Sequence, residues 1–328
     1  TETLKRDTER TNWHTGIERI KIMREKLEML KEQIGSEFFI DTTEQTPLET
    51  FQIYFNNPIT AQLIEDNWPV TNVKLGNIIQ ARHGRVVREI ISDQGRYIYK
   101  TSQSIKTLDT IIKDTAVFEE LRKVEFPHIP KLLKTKADKN FLEINNKFIY
   151  ILNYIEGKQP EENIQIYQQL GKVAAALHDT KNYPYNTDFK ANRIIPDLYK
   201  NAENYTFEVE YKKVLDGLPD FELFPQALIH TDLCLGNAIE QSDGNIILID
   251  WDDTGVGTRI LDLGVLAINH FISEDLEYKK ELAEAFFKSY LSNQSLTQQE
   301  INHIFDAGLF FASMYIIYGA GLEKRWVR

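Results

Sequence analysis

The sequence predicts an α+β fold in which a small antiparallel sheet is followed by a mainly helical region. From Val73 onward, three short apolar runs are separated by His83-Gly84-Arg85 and by Asp93-Gln94-Gly95, and the third run ends at Lys100. Short runs of this kind, broken by glycine-containing turns, are typical of a hairpin meander. Beyond residue 158 the apolar residues recur mainly at three- and four-residue steps, which is the period of helices.

Composition places the chain among globular proteins. Of its 328 residues, 42% are hydrophobic and 27% are charged, and no apolar run approaches the roughly 20 residues of a membrane helix. No signal peptide is found at the start, so the expected location is the cytoplasm, and the single cysteine excludes an internal disulfide. The net charge of −11 argues against a nucleic-acid partner, because such binding needs basic patches. A negative cleft would attract a cationic small substrate, although solubility alone also explains the charge.

Residues 1–70 are predicted to form a helical N-terminal extension. Further helical stretches within it are expected at 48–55 and 59–67. The first helix carries an apolar stripe that either packs on the rest of the chain or pairs with a second copy as a homodimer, and its short length favours packing. The stripe, with steps of mostly three and four residues, consists of Trp13, Ile17, Ile20, Leu27, Leu30 and Ile34.

A polar loop between two apolar strands carries the candidate site. The strand at 227–229 precedes a loop with His230, Asp232 and Asn237, and the strand that follows ends in Asp250. Two carboxylates and an amide then lie at the mouth of a hairpin, where they can bind a divalent metal and leave one carboxylate to orient a hydroxyl. The alternative is that Asp232 and Asn237 are turn residues and that His230 is a buried, hydrogen-bonded histidine. The combined spacing of His230, Asp232, Asn237 and Asp250 favours a functional site over this alternative.

The stretch His230-Thr-Asp-Leu-Cys-Leu-Gly-Asn237, followed by Ile249-Asp-Trp-Asp252, resembles the aminoglycoside phosphotransferase, choline kinase and homoserine kinase family. That family usually has His-Gly-Asp-Leu-His-x-x-Asn and then an apolar strand ending in Ile-Asp-Trp/Phe-Glu/Asp. This chain departs from it with Thr231 in place of Gly and Cys234 in place of His. Asp262, followed by Leu, matches the family's Asp-Leu-Ala at the start of a later helix, and the resemblance implies that it braces the catalytic loop.

The resemblance implies a two-lobed, protein-kinase-like fold. An N-lobe at 71–157 would contain the antiparallel sheet, a helix and the hinge, and a C-lobe at 158–328 would contain the catalytic loop and the substrate pocket. It also implies a magnesium-dependent enzyme that transfers the γ-phosphate of ATP, or of GTP, to a hydroxyl of a small molecule.

The same resemblance implies roles for the loop residues. Asp232 would be the catalytic residue that orients the acceptor hydroxyl and takes its proton. His230, in the same catalytic set, would prop the loop by hydrogen bonding. Asn237 and Asp250 would bind the Mg²⁺ that bridges the phosphates.

Nucleotide-binding residues are implied by position in the sheet. By resemblance, Gly84 belongs to the phosphate-covering loop, and Lys100 is the lysine that reaches the α- and β-phosphates. The next helix, at about 106–124, would supply a glutamate to pair with Lys100. Glu119 and Glu120 are both candidates, and Glu120 is favoured by its spacing to the helix end. The hinge backbone along adenine would be that of Asn153, Tyr154 and Ile155.

The acceptor is left open by the sequence. Aminoglycosides, amino alcohols, homoserine-like amino acids and sugars all have relatives on this fold, and the acidic balance favours an amine-bearing acceptor. Asp252 and Asp253 either contact a cationic substrate or remain solvated. A protein kinase is excluded because the sequence has no Asp-Phe-Gly and no Ala-Pro-Glu. The remaining alternative is a non-catalytic, nucleotide-binding scaffold, which the intact Asp232, Asn237 and Asp250 set disfavours.

Overall fold

The computed structural model describes residues 59–82, 85–102, 106–145, 147–203, 205–273 and 275–326. These residues belong to one compact unit, Pro58–Arg328. The predicted helices before residue 58, the predicted dimer contact and Gly84 of the phosphate loop lie outside the described residues. Within the described part, no helix is both long and apolar enough to cross a bilayer.

The N-lobe is an antiparallel sheet accompanied by two helices. The sheet has the strand order β1-β2-β3-β6-β4, with β5 paired to β6, so the predicted meander forms its first three strands. Thr60 and Thr107 cap the two helices, because each side-chain oxygen accepts a backbone N–H three residues on. In chain order the elements are α1 (Ala61–Asn67), β1 (Lys74–Arg82), β2 (Arg85–Ser92), β3 (Gly95–Thr101), α2 (Leu108–Lys123), β4 (Leu132–Leu133), β5 (Leu142–Ile144) and β6 (Lys147–Asn153).

The pairing register places several polar side chains on one face of this sheet. Val87 of β2 lies opposite Lys100 of β3, and Lys100 lies opposite Tyr150 of β6. Directly opposed residues share a face, and alternate residues along a strand return to it, so Arg85 belongs to the same face. Ile98, two residues before Lys100, places an apolar side chain on the same face. One surface of the N-lobe therefore combines cationic and apolar side chains.

The C-lobe is mainly helical, with short strands around the candidate site. The predicted helices after residue 163 correspond to α3, α6, α7 and α8, whereas α4 and α5 lie in the 180–225 segment, where the sequence has few clear signals. Two short 3-10 turns lie at Phe221–Leu223 and Leu235–Asn237. The elements are α3 (Ile164–His178), α4 (Ala191–Ala202), α5 (Glu208–Asp216), β7 (Gln226–Ile229), β8 (Ala238–Glu240), β9 (Ile246–Leu248), β10 (Gly255–Thr258), α6 (Ile260–His270), α7 (Lys280–Leu291) and α8 (Gln298–Trp326).

Glycines allow the C-lobe helices to approach closely. A Cβ added at Gly171 of α3 would lie 2.5 Å from the carbonyl oxygen of Phe286 in α7. One added at Gly264 of α6 would lie 2.6 Å from the backbone nitrogen of Gly308 in α8. Close-packed interiors leave no room for such atoms, so a side chain at either position would force the helices apart. The pairs α3–α7 and α6–α8 thus form a rigid base for the strands that carry the site.

The β8–β9 hairpin is attached to the chain on both sides of the last N-lobe strands. Lys158 N–H donates to the Glu240 carbonyl at 3.1 Å, and Glu240 N–H donates back at 2.8 Å. A Cβ at Gly157 would lie only 2.4 Å from the same Glu240 oxygen, which explains the need for glycine there. On the other side, Leu248 N–H donates to the His128 carbonyl at 2.9 Å. The hairpin is therefore held by the segments before β4 and after β6.

Candidate active site

Asp262 anchors the loop that follows β7. Its fully buried carboxylate accepts the backbone N–H groups of His230 and Thr231 at 2.8 and 2.7 Å. The same carboxylate lies 3.1 Å from Nε2 of His178, whose Nδ1 lies 2.8 Å from the hydroxyl oxygen of Tyr290. Hydrogen bonds to a charged acceptor are stronger than neutral ones. The bracing role implied for Asp262 thus has a direct structural basis.

Thr231 adopts a left-handed backbone conformation, with φ of 73°. A β-branched residue is strained in that region, whereas the glycine usual at this position in the resembling family has no Cβ to clash. Thr231 is buried, and its Oγ1 lies 3.4 Å from the carbonyl oxygen of Asp252. The departure from the family pattern therefore places a strained backbone inside the catalytic loop.

His230 is a positioning residue. Its side chain is fully buried, its Nε2 lies 3.0 Å from the Ile249 carbonyl, and its ring packs on Trp251 with centroids 4.7 Å apart. Because a carbonyl oxygen only accepts, Nε2 carries the proton. Nδ1 is buried and has no partner among the described residues. The contact of Nε2 with the Ile249 carbonyl is the propping hydrogen bond expected of His230, and it holds the strand end that leads into Asp250. Because the imidazole is fully buried, His230 is a positioning residue rather than a catalytic one.

Asp232 and Asn237 are joined directly at the loop surface. Asn237 Nδ2 donates to Asp232 Oδ2 at 2.7 Å and to the Asp232 backbone carbonyl at 3.0 Å. Asp232 is solvent-exposed, yet nearby protein atoms crowd its carboxylate. This desolvation raises the pKa of Asp232 above its ordinary value, while the Asn237 hydrogen bond acts in the opposite direction. An oriented and accessible carboxylate of raised basicity suits proton acceptance from a hydroxyl.

Asn237 and Asp250 approach each other across the hairpin. Ile249 N–H donates to the Asn237 carbonyl at 2.9 Å, which brings Asn237 beside the strand end that carries Asp250. Because the Asn237 amide nitrogen is bound to Asp232, the amide oxygen points away from that carboxylate. Amide and carboxylate oxygens are hard donors of the kind that Mg²⁺ prefers, so these residues fit the cation. In the described ranges, no three His, Cys, Asp or Glu side chains are grouped as a metal site.

Two cations from the sheet meet two carboxylates that follow β9. Lys100 Nζ lies 2.5 Å from Asp250 Oδ1 and 2.9 Å from Asp252 Oδ1. Arg85 Nη1 lies 2.8 Å from Asp252 Oδ2, and the same guanidinium contacts the two Asp250 oxygens at 3.2 and 3.3 Å. The Tyr150 hydroxyl lies 3.4 Å from Asp252 Oδ1. The positive and negative charges of this cluster balance, and its side chains are largely shielded from solvent.

Charge pairing sets the protonation states in this cluster. Burial alone would lower the pKa of Lys100, but Tyr150 and the carboxylates of Asp252 and Asp250 raise it well above its ordinary value. Burial likewise acts to raise the pKa of Asp250, and Lys100 and Arg85 overcome this effect and hold it well below its usual range. Near neutral pH the lysine is therefore charged and Asp250 is ionised, as phosphate and metal binding require.

The expected ion pair between Lys100 and a helix glutamate is not formed. Glu120, the favoured candidate, pairs with Lys123 at 2.7 Å. Glu119 pairs with Lys134, also at 2.7 Å, and accepts a hydrogen bond from the side chain of Asn140 at 3.0 Å. Both glutamates point away from the sheet face that carries the lysine, so their assignment to nucleotide binding is corrected.

The acidic side chain that α2 turns inward is Asp114. It is buried, and its carboxylate lies 2.9 Å from Lys106 Nζ. Asp114 precedes Glu120 by six residues, which corresponds to roughly 240° around a helix, so the two cannot face the same way. Burial raises the pKa of Asp114 to about 6, and Lys106 opposes this rise. Helix α2 therefore turns Asp114 inward, where the carboxylate pairs with Lys106, a residue that precedes the helix.

Asp252 and Asp253 are already engaged by cations of the N-lobe. Asp252 belongs to the cluster with Lys100 and Arg85. Asp253 lies 2.9 Å from Lys106 Nζ and is only about half-exposed. The structure therefore does not support the assignment of these two carboxylates as contacts for a cationic substrate.

Two of the three hinge residues use their backbone N–H groups within the sheet. Asn153 N–H donates to the Lys131 carbonyl at 2.9 Å, and Tyr154 N–H donates to the Arg96 carbonyl at 3.0 Å. The Arg96 guanidinium also lies over the Tyr154 ring, 3.8 Å from its centroid. Within the residues that the structure describes, the backbone of Ile155 makes no hydrogen bond. The backbone N–H and C=O groups of Ile155 are therefore both available to bind a nucleotide base.

His270 is a loop contact that sequence analysis missed. Its Nε2 lies 3.1 Å from the backbone nitrogen of Leu235 and accepts that N–H, and its Nδ1 lies 3.3 Å from Glu162 Oε1. Leu235 begins the short turn that carries Asn237, and Glu162 is held in turn by Lys279 at 2.6 Å. No local motif marks this histidine, because it reaches the loop from the end of α6, 35 residues beyond Leu235.

Comparison with protein-family models matches residues 80–297 to a family described as phosphotransferase enzyme family. The matched range covers more than half of the chain and includes most of the sheet, the catalytic loop and Asp250. A comparison with curated protein sequences gives no significant match.

Three solved structures with the same architecture carry the names of small-molecule kinases or phosphotransferases. An amicoumacin kinase in complex with AMP-PNP, Ca²⁺ and Ami has a TM-score of 0.61 and 18% identity, over 82% of this chain and 88% of that chain. A spectinomycin phosphotransferase in complex with ADP and spectinomycin has a TM-score of 0.58 and 15% identity, over 79% and 88%. A microcompartment-associated aminopropanol kinase has a TM-score of 0.57 and 16% identity, over 79% and 94%. The two-lobed, protein-kinase-like fold is thereby confirmed.

Proposed function

Because this chain belongs to the phosphotransferase enzyme family, we propose that it is a magnesium-dependent small-molecule kinase. It transfers the γ-phosphate of ATP, or of GTP, to a hydroxyl of a small, amine-bearing acceptor. The observation that carries this proposal is the direct contact between Asp232 and Asn237. It holds an accessible carboxylate beside an amide oxygen, next to the strand end where Asp250 meets Lys100.

Asp232 acts on the acceptor hydroxyl. Its Oδ2 accepts the Asn237 amide, so Oδ1 is left to accept a hydrogen bond from the incoming hydroxyl. As the hydroxyl oxygen bonds to the γ-phosphorus, the bond from phosphorus to the nucleoside diphosphate breaks, and the hydroxyl proton passes to Asp232. The raised pKa of Asp232 favours this transfer, and orientation of the nucleophile supplies much of its effect.

Lys100 and the metal ligands act on the phosphates. Lys100 offers a fixed positive charge on the sheet face that looks toward the loop. Asn237 and Asp250 would hold Mg²⁺, which would supply positive charge to offset the negative charge that develops on the phosphate during transfer. Asp250 stays ionised beside its cations and is therefore ready to bind a metal without first losing a proton. Positioning and electrostatics of this type account for most catalysis in phosphoryl transfer.

An amine-bearing acceptor is supported by the charge around the loop. Arg85, Lys100 and Lys106 pair with Asp250, Asp252 and Asp253, whereas the exposed Asp232 has no lysine or arginine partner among the described residues. Negative charge in a cleft concentrates cations. The similar aminopropanol kinase is named for an amino alcohol, which belongs to the same chemical class.

The test is release of nucleoside diphosphate from ATP, and separately from GTP, in the presence of Mg²⁺. Pools of aminoglycosides, amino alcohols, amino acids and sugars serve as acceptors. We expect release with an amine-bearing pool, and a loss of about 10²–10⁴ in turnover for Asp232→Asn, the usual worth of a positioned base. Asp243→Asn is the matched control, because Asp243 lies in the turn of the same hairpin. Among the described residues, its carboxylate accepts a hydrogen bond only from the Asn245 N–H, at 2.9 Å.

The outcomes separate the proposal from its alternative. Turnover by Asp232→Asn at the wild-type rate would rule out Asp232 as the base. Binding of nucleotide with no release from any pool would favour the non-catalytic scaffold. No nucleotide binding by the wild-type protein would overturn the proposed activity as a whole.

A further inference from the structure

We propose that Arg85 is a second phosphate-binding residue, which exchanges its carboxylate partners for nucleotide phosphate oxygens when the nucleotide binds. The inference rests on the proposed kinase function and adds a residue that no part of the catalytic motif assigns.

The placement of Arg85 is the first support. It lies two residues before Val87, whose partner across the sheet is Lys100, so both cationic side chains leave the same face. Their heads converge on the same two carboxylates, Asp250 and Asp252. The Arg85 side chain is only 11% exposed, although an arginine without a function at the start of a strand normally extends into solvent.

The charges of the cluster are the second support. Within the cluster, two carboxylates neutralise two cations. Asp250 is the proposed metal ligand, and both of its oxygens are now occupied by Arg85 and Lys100. A divalent cation bound to Asp250 would compete with these contacts and leave the shielded guanidinium with one carboxylate partner, Asp252, and the neutral Gln80. Loss of a charged partner from a shielded guanidinium is costly.

The anions that arrive together with the metal are the phosphates of the nucleotide. A guanidinium is planar and presents paired N–H donors, so it suits phosphate oxygens better than an ammonium does. Arg85 already uses this geometry, because it contacts both oxygens of Asp250 and one of Asp252. Exchange of one anion for another keeps the guanidinium paired throughout binding.

The competing role for Arg85 is a purely structural lock on the two carboxylates. The two roles predict opposite changes in affinity for the magnesium–nucleotide complex when Arg85 is removed. Removal of a lock would free Asp250 and Asp252 for the metal and would strengthen binding of the magnesium–nucleotide complex. Removal of a phosphate ligand would weaken that binding and would leave a ligand without phosphates unaffected.

The experiment is calorimetric titration of MgADP and of adenosine into the wild-type protein and three variants. For Arg85→Gln we expect roughly tenfold to a hundredfold weaker MgADP binding, the usual worth of a charge-assisted hydrogen-bonded contact, with adenosine affinity unchanged. Arg85→Lys keeps the charge without the planar fork and should lie in between. Arg88→Gln is the matched control: it lies on the opposite face of β2, with its Nε 2.8 Å from the Gly76 carbonyl oxygen, and should bind both ligands normally.

Every other outcome would overturn either the phosphate role of Arg85 or the kinase proposal. Unchanged or tighter MgADP binding by Arg85→Gln would overturn the phosphate role and leave the kinase proposal standing. An equal loss for adenosine and MgADP would also overturn it, because a phosphate contact cannot weaken a ligand that has no phosphate. Should Arg85→Gln fail to fold, Arg85→Lys decides by the same comparison. Failure of the wild-type protein to bind MgADP would overturn the kinase proposal itself.

Discussion

The backbone nitrogen of Thr231 lies 2.7 Å from Asp262 Oδ1, so a left-handed residue of the catalytic loop is tied to the first turn of α6. The same buried carboxylate also accepts the His230 N–H at 2.8 Å and faces His178 Nε2 at 3.1 Å. Three donors thus depend on one side chain, which is possible because an ionised carboxylate offers about four lone-pair sites.

Asp262→Asn should therefore lower the free energy of unfolding by about 2–4 kcal/mol, since an amide has one acceptor oxygen and turns its NH₂ toward a buried donor. Urea unfolding followed by circular dichroism measures this. Asp188→Asn is the control, because its carboxylate is half-exposed and, within the described part of the chain, pairs with Lys113 alone. This variant should stay within about 0.5 kcal/mol of the wild type. Equal stability of Asp262→Asn and wild type would contradict the bracing role.

Thr231→Gly should raise the free energy of unfolding by about 1 kcal/mol, because glycine removes the Cβ that strains the left-handed backbone at this position. The greater freedom of glycine in the unfolded chain limits the gain. Thr231→Ala separates the backbone effect from the loss of the hydroxyl, since alanine keeps the Cβ. Urea denaturation of both variants decides, and a glycine variant no more stable than the alanine variant would show that the loop does not store strain.

Asp114 makes stability depend on pH. Its pKa is raised in the folded chain from 3.8 to about 6, because burial outweighs its ion pair with Lys106, and the charges of Asp252 and Asp253 add to the rise. An acid with a raised folded pKa holds its proton more tightly when folded. Its stabilising contribution is therefore present below pH 3.8 and is lost as the pH rises through about 6.

Asp114→Asn removes this titration. Relative to wild type, the variant should gain up to about 3 kcal/mol in unfolding free energy as the pH rises from about 4 to 7. Urea unfolding at a series of pH values measures the difference between the two proteins, which cancels the titration of all other groups. Glu120→Gln removes a carboxylate from the same helix and serves as control. A difference that does not vary with pH would refute the assignment.

His270→Leu should lower kcat by roughly tenfold while the KM for nucleotide changes little, because it removes the acceptor that holds the turn before Asn237. Burial lowers the pKa of His270, so the ring stays neutral and its Nε2 remains an acceptor at neutral pH. Hydrogen exchange of the Leu235 amide gives a readout besides activity and should become faster.

Two further variants test the specificity of that effect. His270→Gln retains an acceptor oxygen and should recover part of the loss. His303→Leu removes a histidine of α8 that pairs with Asp306 and should leave both readouts unchanged. Slow exchange of Leu235 in His270→Leu would show that the loop does not depend on this contact.

The clustering of the candidate site residues around one loop could be predicted from sequence because these residues are close along the chain. His230, Asp232 and Asn237 lie in one loop, and the hairpin to Asp250 is local, so spacing alone brings them together. The meander that ends at Lys100 was predictable for the same reason, since consecutive strands with tight turns pair with their neighbours.

The partners of Lys100 could not be predicted in this way. Asp250 is 150 residues away, and the contact depends on how the sheet sits against the hairpin. The choice of Glu120 relied on its distance from the helix end, whereas the burial of α2 is decided by helical phase, which turns Asp114 inward. The helices α4 and α5 were missed because the 180–225 segment is rich in polar and aromatic residues without a clear period.

The paired backbone of Lys158 and Glu240 restricts how the two lobes can move. With the hairpin also fixed to His128, rotation of the sheet must be absorbed by the few residues from 154 to 157 and from 129 to 131. The ion pairs Arg85–Asp252 and Lys100–Asp250 join the sheet to the residues that follow β9, so a rotation of the sheet away from the hairpin would have to break them.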